Sequence, residues 1–257
     1  MKLEPYSIQL TFGEVLWIGR IFGKNAFPFL FPYEKQPDLA SMAGEIEQGR
    51  ESLIKKGWAR RNLNKTYTID RLVYFLVDWL SQPEKVAVID SISLAQDSSH
   101  FTIHEKQGHY LCVEFVSEGI QLTLHKDRQS LVDSLAGLFP SNDRSAGSVK
   151  QRVFPILQPI ELIRLAWKSR EMARESLLVA GFKPDKADEY LKSIDLIQTA
   201  GLISLFDYDK NETEPQKQGL FIFDSAGDWF GQCNGMDEMV VVMQPVDRMK
   251  MLDRFWM

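Results

Sequence analysis

The chain repeats itself, and the repeat limits what it can fold into. Arg50-Glu51-Ser52-Leu53 returns as Arg174-Glu175-Ser176-Leu177, an offset of 174 − 50 = 124. Gly57 and Trp58 match Gly181 and Phe182 at the same spacing. Asp127-Arg128 matches Asp247-Arg248 at 247 − 127 = 120, with Phe101/Phe221 and Asp133/Asp253 in that register. Matched blocks in one order with a nearly constant offset mark a duplicated unit. Residues 1–140 form the first copy, 141–152 a polar linker rich in Ser and Gly, and 153–257 the second. The whole is expected to be one compact pseudosymmetric domain.

Periodicity fills in each copy. The first helix of each aligns at Glu14 and Glu161. A second helix spans Asp38 to Lys56 and ends at Gly57-Trp58, where a left-handed glycine and a folded-back apolar residue would cap it. Its partner runs from about Pro159 to Ala180 and ends at Gly181-Phe182. Further helices are expected at Asp70 to Ser81 and Pro184 to Thr199. Four strands follow in the first copy: Lys85–Ser91, His100–Glu105, Tyr110–Val116 and Ile120–His125. The second has Leu202–Tyr208, Leu220–Asp224, Trp229–Cys233 and Glu238–Gln244. Alternating apolar positions and polar turns make them mainly antiparallel. Closing helices run Asp127–Leu138, with Asp127 as N-cap, and Val246–Trp256. The fold class is therefore α/β (α+β), with pseudo-twofold symmetry around a central sheet.

The first copy carries extra residues near 24–37, and they hold Phe27-Pro28-Phe29-Leu30-Phe31-Pro32-Tyr33. Two prolines exclude a regular helix. Extended, the stretch would turn Phe27, Phe29, Phe31 and Tyr33 to one side. That side either packs across the domain's own core, the commoner fate, or forms an apolar lip that receives a partner. Asp209 to Gln218 is expected to be a long hairpin loop.

Composition excludes several classes. A net charge of −5 argues against broad nucleic-acid or anionic-membrane binding, although a local basic patch exists at Lys55, Lys56, Arg60, Arg61 and Lys65. No apolar run reaches a membrane span, and the first residues lack the apolar stretch of a secretion signal. Two cysteines, Cys112 and Cys233, give no disulfide framework, so a reducing cytoplasm is expected. All four histidines lie between His100 and His125. Strand geometry places His100 and His104 about 13 Å apart on one face, too far for one ion. His104, His109 and His125 could meet across hairpins, but no metal and no cofactor are expected. Cys112 and His109 fall on opposite strand faces, which disfavours a nucleophile and base pair. Asp90, Asp207, Glu105 and Asp224 sit at strand ends, where turn formation is their commoner role. The glycines from Gly227 to Gly235 lack a phosphate-loop context and suit tight hairpins.

Leu16-Trp17-Ile18 in a first helix, a Pro-containing apolar stretch, and the helix end Leu53-Ile54-Lys55-Lys56-Gly57-Trp58 resemble the EspG family, cytosolic chaperones of ESX (type VII) secretion. The likeness runs on through the helix at Asp70–Ser81, the Gln82-Pro83-Glu84 break and the helix ending Leu138-Phe139-Pro140. It implies a pseudo-twofold α/β fold, no catalysis, and a protein partner: a secreted heterodimer whose exposed apolar tip the chaperone shields. Two other readings stand beside it. One is an immunity protein or stoichiometric inhibitor of a toxin; the other is an enzyme with a strand-borne His/Cys site.

Overall fold

A computed structural model describes residues 6–24, 27, 30, 42–94, 98–138, 152–155, 159–208, 215–224, 227–233, 240–245 and 251. In chain order these form β1 (Tyr6–Leu10), α1 (Phe12–Ile21), α2 (Ala43–Lys55), β2 (Ala59–Arg61), β3 (Tyr67–Ile69), α3 (Arg71–Ser81), β4 (Lys85–Ser93), β5 (Ser99–Lys106), β6 (His109–Val116), β7 (Gly119–His125) and α4 (Arg128–Leu138). Then come β8 (Arg152–Pro155), α5 (Pro159–Lys168), α6 (Arg170–Val179), α7 (Pro184–Ile194), β9 (Ile197–Asp207), β10 (Lys217–Asp224), β11 (Gly227–Cys233) and β12 (Val240–Pro245). The fold is mixed α/β, with helices and antiparallel sheet. The chain divides into two compact units. The first is Met1–Ala87, His100–Leu131 and Asp207–Glu212; the second is Val88–Ser99, Val132–Phe206 and Thr213–Met257.

In the first unit the strand order is β1-β7-β6-β5. Each neighbouring pair is antiparallel, with Ile8 opposite Leu122, Leu111 opposite Leu124, and His104 opposite Leu111. Alternation sends Ile8, Leu10, Leu111, Val113, Ile120 and Leu122 to one face, where they join Val15, Leu16, Trp17 and Ile18 of α1, Leu53 of α2 and Leu76 and Leu80 of α3 in one core. Strand β1 fell outside the sequence expectation because its alternation is only five residues long. The polar segment after Trp58 forms the β2–β3 hairpin.

Helices α1 and α2 touch backbone to backbone. A Cβ on Gly49 would overlap the Gly13 backbone, and one on Gly13 would overlap the Glu45 carbonyl. The crossing is closed by charge. Glu14 is fully buried, and Lys56 Nζ at the end of α2 lies 2.7 Å from its Oε1 and 2.9 Å from its Oε2. The same carboxylate accepts from the Thr11 N–H at 2.8 Å while Thr11 Oγ1 accepts from the Glu14 N–H, a capping box at the start of α1. A buried carboxylate is tolerated because Lys56 matches its charge and its Oε2 accepts from both Lys56 Nζ and Thr11 N–H.

The two helix ends that repeat in sequence also repeat in geometry. Gly57 has φ +76° and Gly181 φ +89°. After α2, Gly57 N–H donates to Ile54 O and Trp58 N–H to Leu53 O, at 3.0 and 2.9 Å. After α6, Gly181 donates to Leu178 O and Phe182 to Leu177 O, both at 3.0 Å. Each is a complete Schellman cap, and the aromatic beyond it packs against the core cluster that holds the buried leucine, Leu53 or Leu177.

The second unit orders its strands β4-β9-β10-β11-β12-β8. Ile160 and Ile163 of α5, Ala173 and Leu177 of α6, and Ala187, Leu191 and Ile194 of α7 pack on Ile197, Ala200, Leu220, Ile222 and Trp229. The single expected helix from Pro159 to Ala180 is two. Ser169 is extended, with φ −154° and ψ +104°, and its side chain accepts from Met172 N–H, so it ends one helix and caps the next. The expected helix from Pro184 to Thr199 stops at Asp195, and Ile197 to Thr199 belong to β9. The apolar spacing of Ile194 and Ile197 mimics a continuing helix but serves a strand. Asp127 caps α4 as expected, through Ser130 N–H, and Asp70 caps α3 through Leu72 and Val73 N–H. The helix expected from Val246 to Trp256 lies outside the described residues except for Met251, which is helical.

Gly49→Ala should destabilise the protein by at least the 1–3 kcal/mol typical of overpacking, roughly, read as the urea midpoint. Gly44→Ala, on the open face of the same helix with nothing near its Cβ, should instead stabilise by about 0.5–1 kcal/mol. Equal effects of the two substitutions would remove the close crossing from the account.

Candidate functional site

The strands hold no assembled chemistry. His104 and Thr102 alternate onto the helix-facing side of β5, beside Leu111 and Val113, while Cys112 faces the other way, opposite Ile103 and Thr123. His125 is opposite Tyr110, on the Cys112 face. His109 shares the face of His104 but is exposed, and its Nδ1 lies 2.7 Å from Lys126 O. The histidines therefore do not converge, and no group of His, Cys, Asp or Glu able to hold a metal occurs among the described residues. Burial pushes the Cys112 thiol up to about 12, helped by Glu114, so the thiolate needed for nucleophilic attack is not formed. Asp224 is a turn former: its Oδ1 accepts from Gly227 N–H at 3.0 Å in the β10–β11 hairpin.

His104 is wholly buried, and burial pulls it down to about 3 from its ordinary 6.5. Its Nε2 lies 2.9 Å from Thr102 Oγ1. A neutral imidazole fits there and an imidazolium does not. As pH falls below 6.5 the unfolded chain takes the proton first, so stability is withdrawn between 6.5 and about 3. His104→Gln should remove up to about 1.4 kcal/mol per pH unit from the acid limb of a stability profile between about pH 6 and pH 4. An acid limb identical to that of the parent protein would show that His104 is solvated.

What the first unit does present is aromatic surface. Helix α3 is apolar almost all round, from Leu72 to Leu80, with only Asp78 between. Val73, Leu76, Val77 and Leu80 face the core, which leaves Tyr74 half-buried and Phe75 46% exposed. At the end of α1, Ile21 and Phe22 are exposed, Phe22 to 40%. The Phe22 and Tyr74 rings lie 4.4 Å apart. Phe75 meets Trp79 edge-on at 5.4 Å, and Trp79 meets His109 at 6.4 Å. Lys24 and Lys106 pair with Asp78 at 2.8 and 3.7 Å and set a charged margin beside the rings. An apolar centre with a charged rim is the composition of a protein-binding patch. The signal in the sequence was α3 itself, since a helix apolar on every side is either buried or covered by something else.

Of the sequence-derived binding residues, Phe27 is partly buried and packs against the core; its ring occupies the space above Gly19, where a Cβ would come within 2.5 Å. Leu30 N–H donates to Phe27 O at 3.3 Å, closing a turn, and Leu30 is buried. Phe29, Phe31 and Tyr33 lie outside the described residues.

No protein-family model matches the chain, and no curated protein matches it. Among solved structures it matches the Mycobacterium tuberculosis type VII secretion chaperone EspG5, solved in complex with the PE25–PPE41 dimer. The match has a TM-score of 0.60 and covers 98% of this chain and 96% of that one, at 9% identity. At that identity the likeness is one of fold.

Proposed function

We propose that this chain is a non-catalytic, EspG-like chaperone that binds a secreted protein in the cytoplasm and covers its apolar surface before export. The observation that carries the reading is the fold match, which spans nearly the whole of both chains. EspG5 was solved holding a protein dimer, which supports a protein partner here. The exposed Phe22 and Phe75 rings, with half-buried Tyr74, also support it, because clustered exposed apolar surface marks interaction sites. No helix of the described residues is long and apolar enough to cross a membrane. The two sequence copies, 1–140 and 153–257, would then present one altered face and one plain face to an asymmetric partner, with Phe27, Phe29, Phe31 and Tyr33 beside the altered one. The fold match favours this reading over a toxin inhibitor.

The test is affinity capture of the full chain from its native cells, followed by size-exclusion of the captured complex. A stoichiometric small helical exported protein is expected. Phe22→Ser with Phe75→Ser should weaken capture by at least about tenfold, since buried aromatic anchors are each worth about 1–2 kcal/mol or more. Inhibition of a toxin by the pure protein, or undiminished capture by the folded double variant, would overturn the reading or its placement.

A further inference from the structure

The β2–β3 hairpin ends in a leucine that touches nothing. Leu63 is 107% exposed, more than in an isolated reference residue. A loose loop could shed that exposure by folding over, but this one is tied. Asn62 N–H donates to Thr66 O at 2.8 Å and Lys65 N–H to Asn62 O at 3.1 Å. Asn62 Nδ2 reaches the hydroxyls of Thr66 and Thr68, at 3.0 and 3.1 Å, and Thr66 Oγ1 donates to Asn64 Oδ1 at 2.6 Å. The base is fixed too: Asp70 N–H donates to Trp58 O at 2.7 Å, and Tyr67 stands edge-on to the buried Trp17 at 4.9 Å. The turn is thus rigid and presents Leu63 outward, at no ordering cost to a partner.

The hairpin that carries the leucine is basic in sequence. Arg60, Arg61 and Lys65 are exposed, and Lys55 and Arg71 are exposed where α2 ends and α3 begins. None of these five has an ion-pair partner among the described residues, in contrast to Lys56, which Glu14 holds. From Lys55 to Arg71 the only acid is Asp70, whose carboxylate is engaged in capping α3, in a chain whose net charge is −5. A hairpin that carries unpaired positive charge and one exposed apolar side chain fits an acidic segment that carries an apolar residue. Nucleic acid fits less well: the hairpin's one aromatic, Tyr67, is turned in against Trp17, so no ring is offered for a base to stack on. Nor does a single leucine give a vesicle much to hold.

We propose that the β2–β3 hairpin is a docking element for an acidic, apolar-bearing segment of a protein partner, with Leu63 as its anchor and Arg60, Arg61 and Lys65 as its charge readers. This deepens the protein-binding reading by naming the partner's chemistry, and its test needs no native partner. The probe is a fluorescent peptide of glutamates with leucines at its centre, titrated with the full chain and followed by anisotropy. Saturable binding is expected that weakens with salt, falls at least about tenfold in Arg60→Ser with Arg61→Ser and Lys65→Ser, and falls about threefold in Leu63→Ser. A glutamine version of the peptide should bind at least about tenfold more weakly than the glutamate one. Affinity unchanged in both variants would overturn the proposal. So would a single-stranded oligonucleotide or an anionic phosphatidylserine vesicle binding as tightly as the peptide. In either case capture through Phe22 and Phe75 would be untouched, so the two readings fail separately. Because every substituted side chain is exposed, each variant is expected to keep the parent's unfolding midpoint, which circular dichroism checks.

Discussion

The first unit is organised by a contact that only two glycines permit. With no side chain at Gly13 or Gly49, α1 and α2 meet at backbone distance, and the Glu14 carboxylate is enclosed where Lys56 can reach it. Everything nearby inherits that geometry. The cap at Gly57 turns the chain directly after Lys56, Trp58 folds back under the Lys56 ammonium at 4.9 Å, and the β2–β3 hairpin leaves from there. Helix α3 then starts from Asp70, whose N–H is tied back to Trp58. The rings at the end of α1 and along α3 are held in register by this one frame.

The second unit solves the same problem differently. At the positions that align with Gly13 and Gly49 it has Ile160 and Ala173, both buried, and in place of Lys56 it has Ala180. Glu161, the counterpart of Glu14, is exposed and pairs with Arg164 on its own helix. Arg174, the counterpart of Arg50, reaches Asp188 on α7, and Arg170 reaches Asp195. These surface pairs each contribute about 1 kcal/mol or less. The helix ends after α2 and α6 thus share one cap geometry, while the two units join their helices differently, by a buried ion pair in the first and by apolar side chains with surface pairs in the second.

What was legible in the sequence was local chemistry with one solution. Glycine followed by a large apolar residue after an amphipathic run gave both Schellman caps, and Asp127 before such a run gave the start of α4. The eight expected strands, four before and four after the linker, were legible from alternation and polar turns, whereas the short β2, β3 and β8 were not. Ser169 was not, because apolar spacing runs unbroken from α5 into α6 and a serine N-cap costs the pattern nothing. Strand β1 was not, because five residues carry too little periodicity. The glycine crossing escaped for a different reason: its partners lie in separate helices, and only a mid-helix glycine, a local cost without a local benefit, hinted at it. Exposed rings on α3 were hidden in a helix whose apolar content looked like core.

The central claim is that the α1–α2 crossing is the rigid frame of the first unit. Native-state amide hydrogen exchange across α1, α2 and α3 tests it most directly. The account expects the amides of Leu16 to Ile18 and of Gly49 to Leu53 to exchange only through global unfolding, with the full denaturant dependence of that transition. Exchange of the α2 amides through a smaller, denaturant-insensitive opening, while the sheet stays protected, would contradict it.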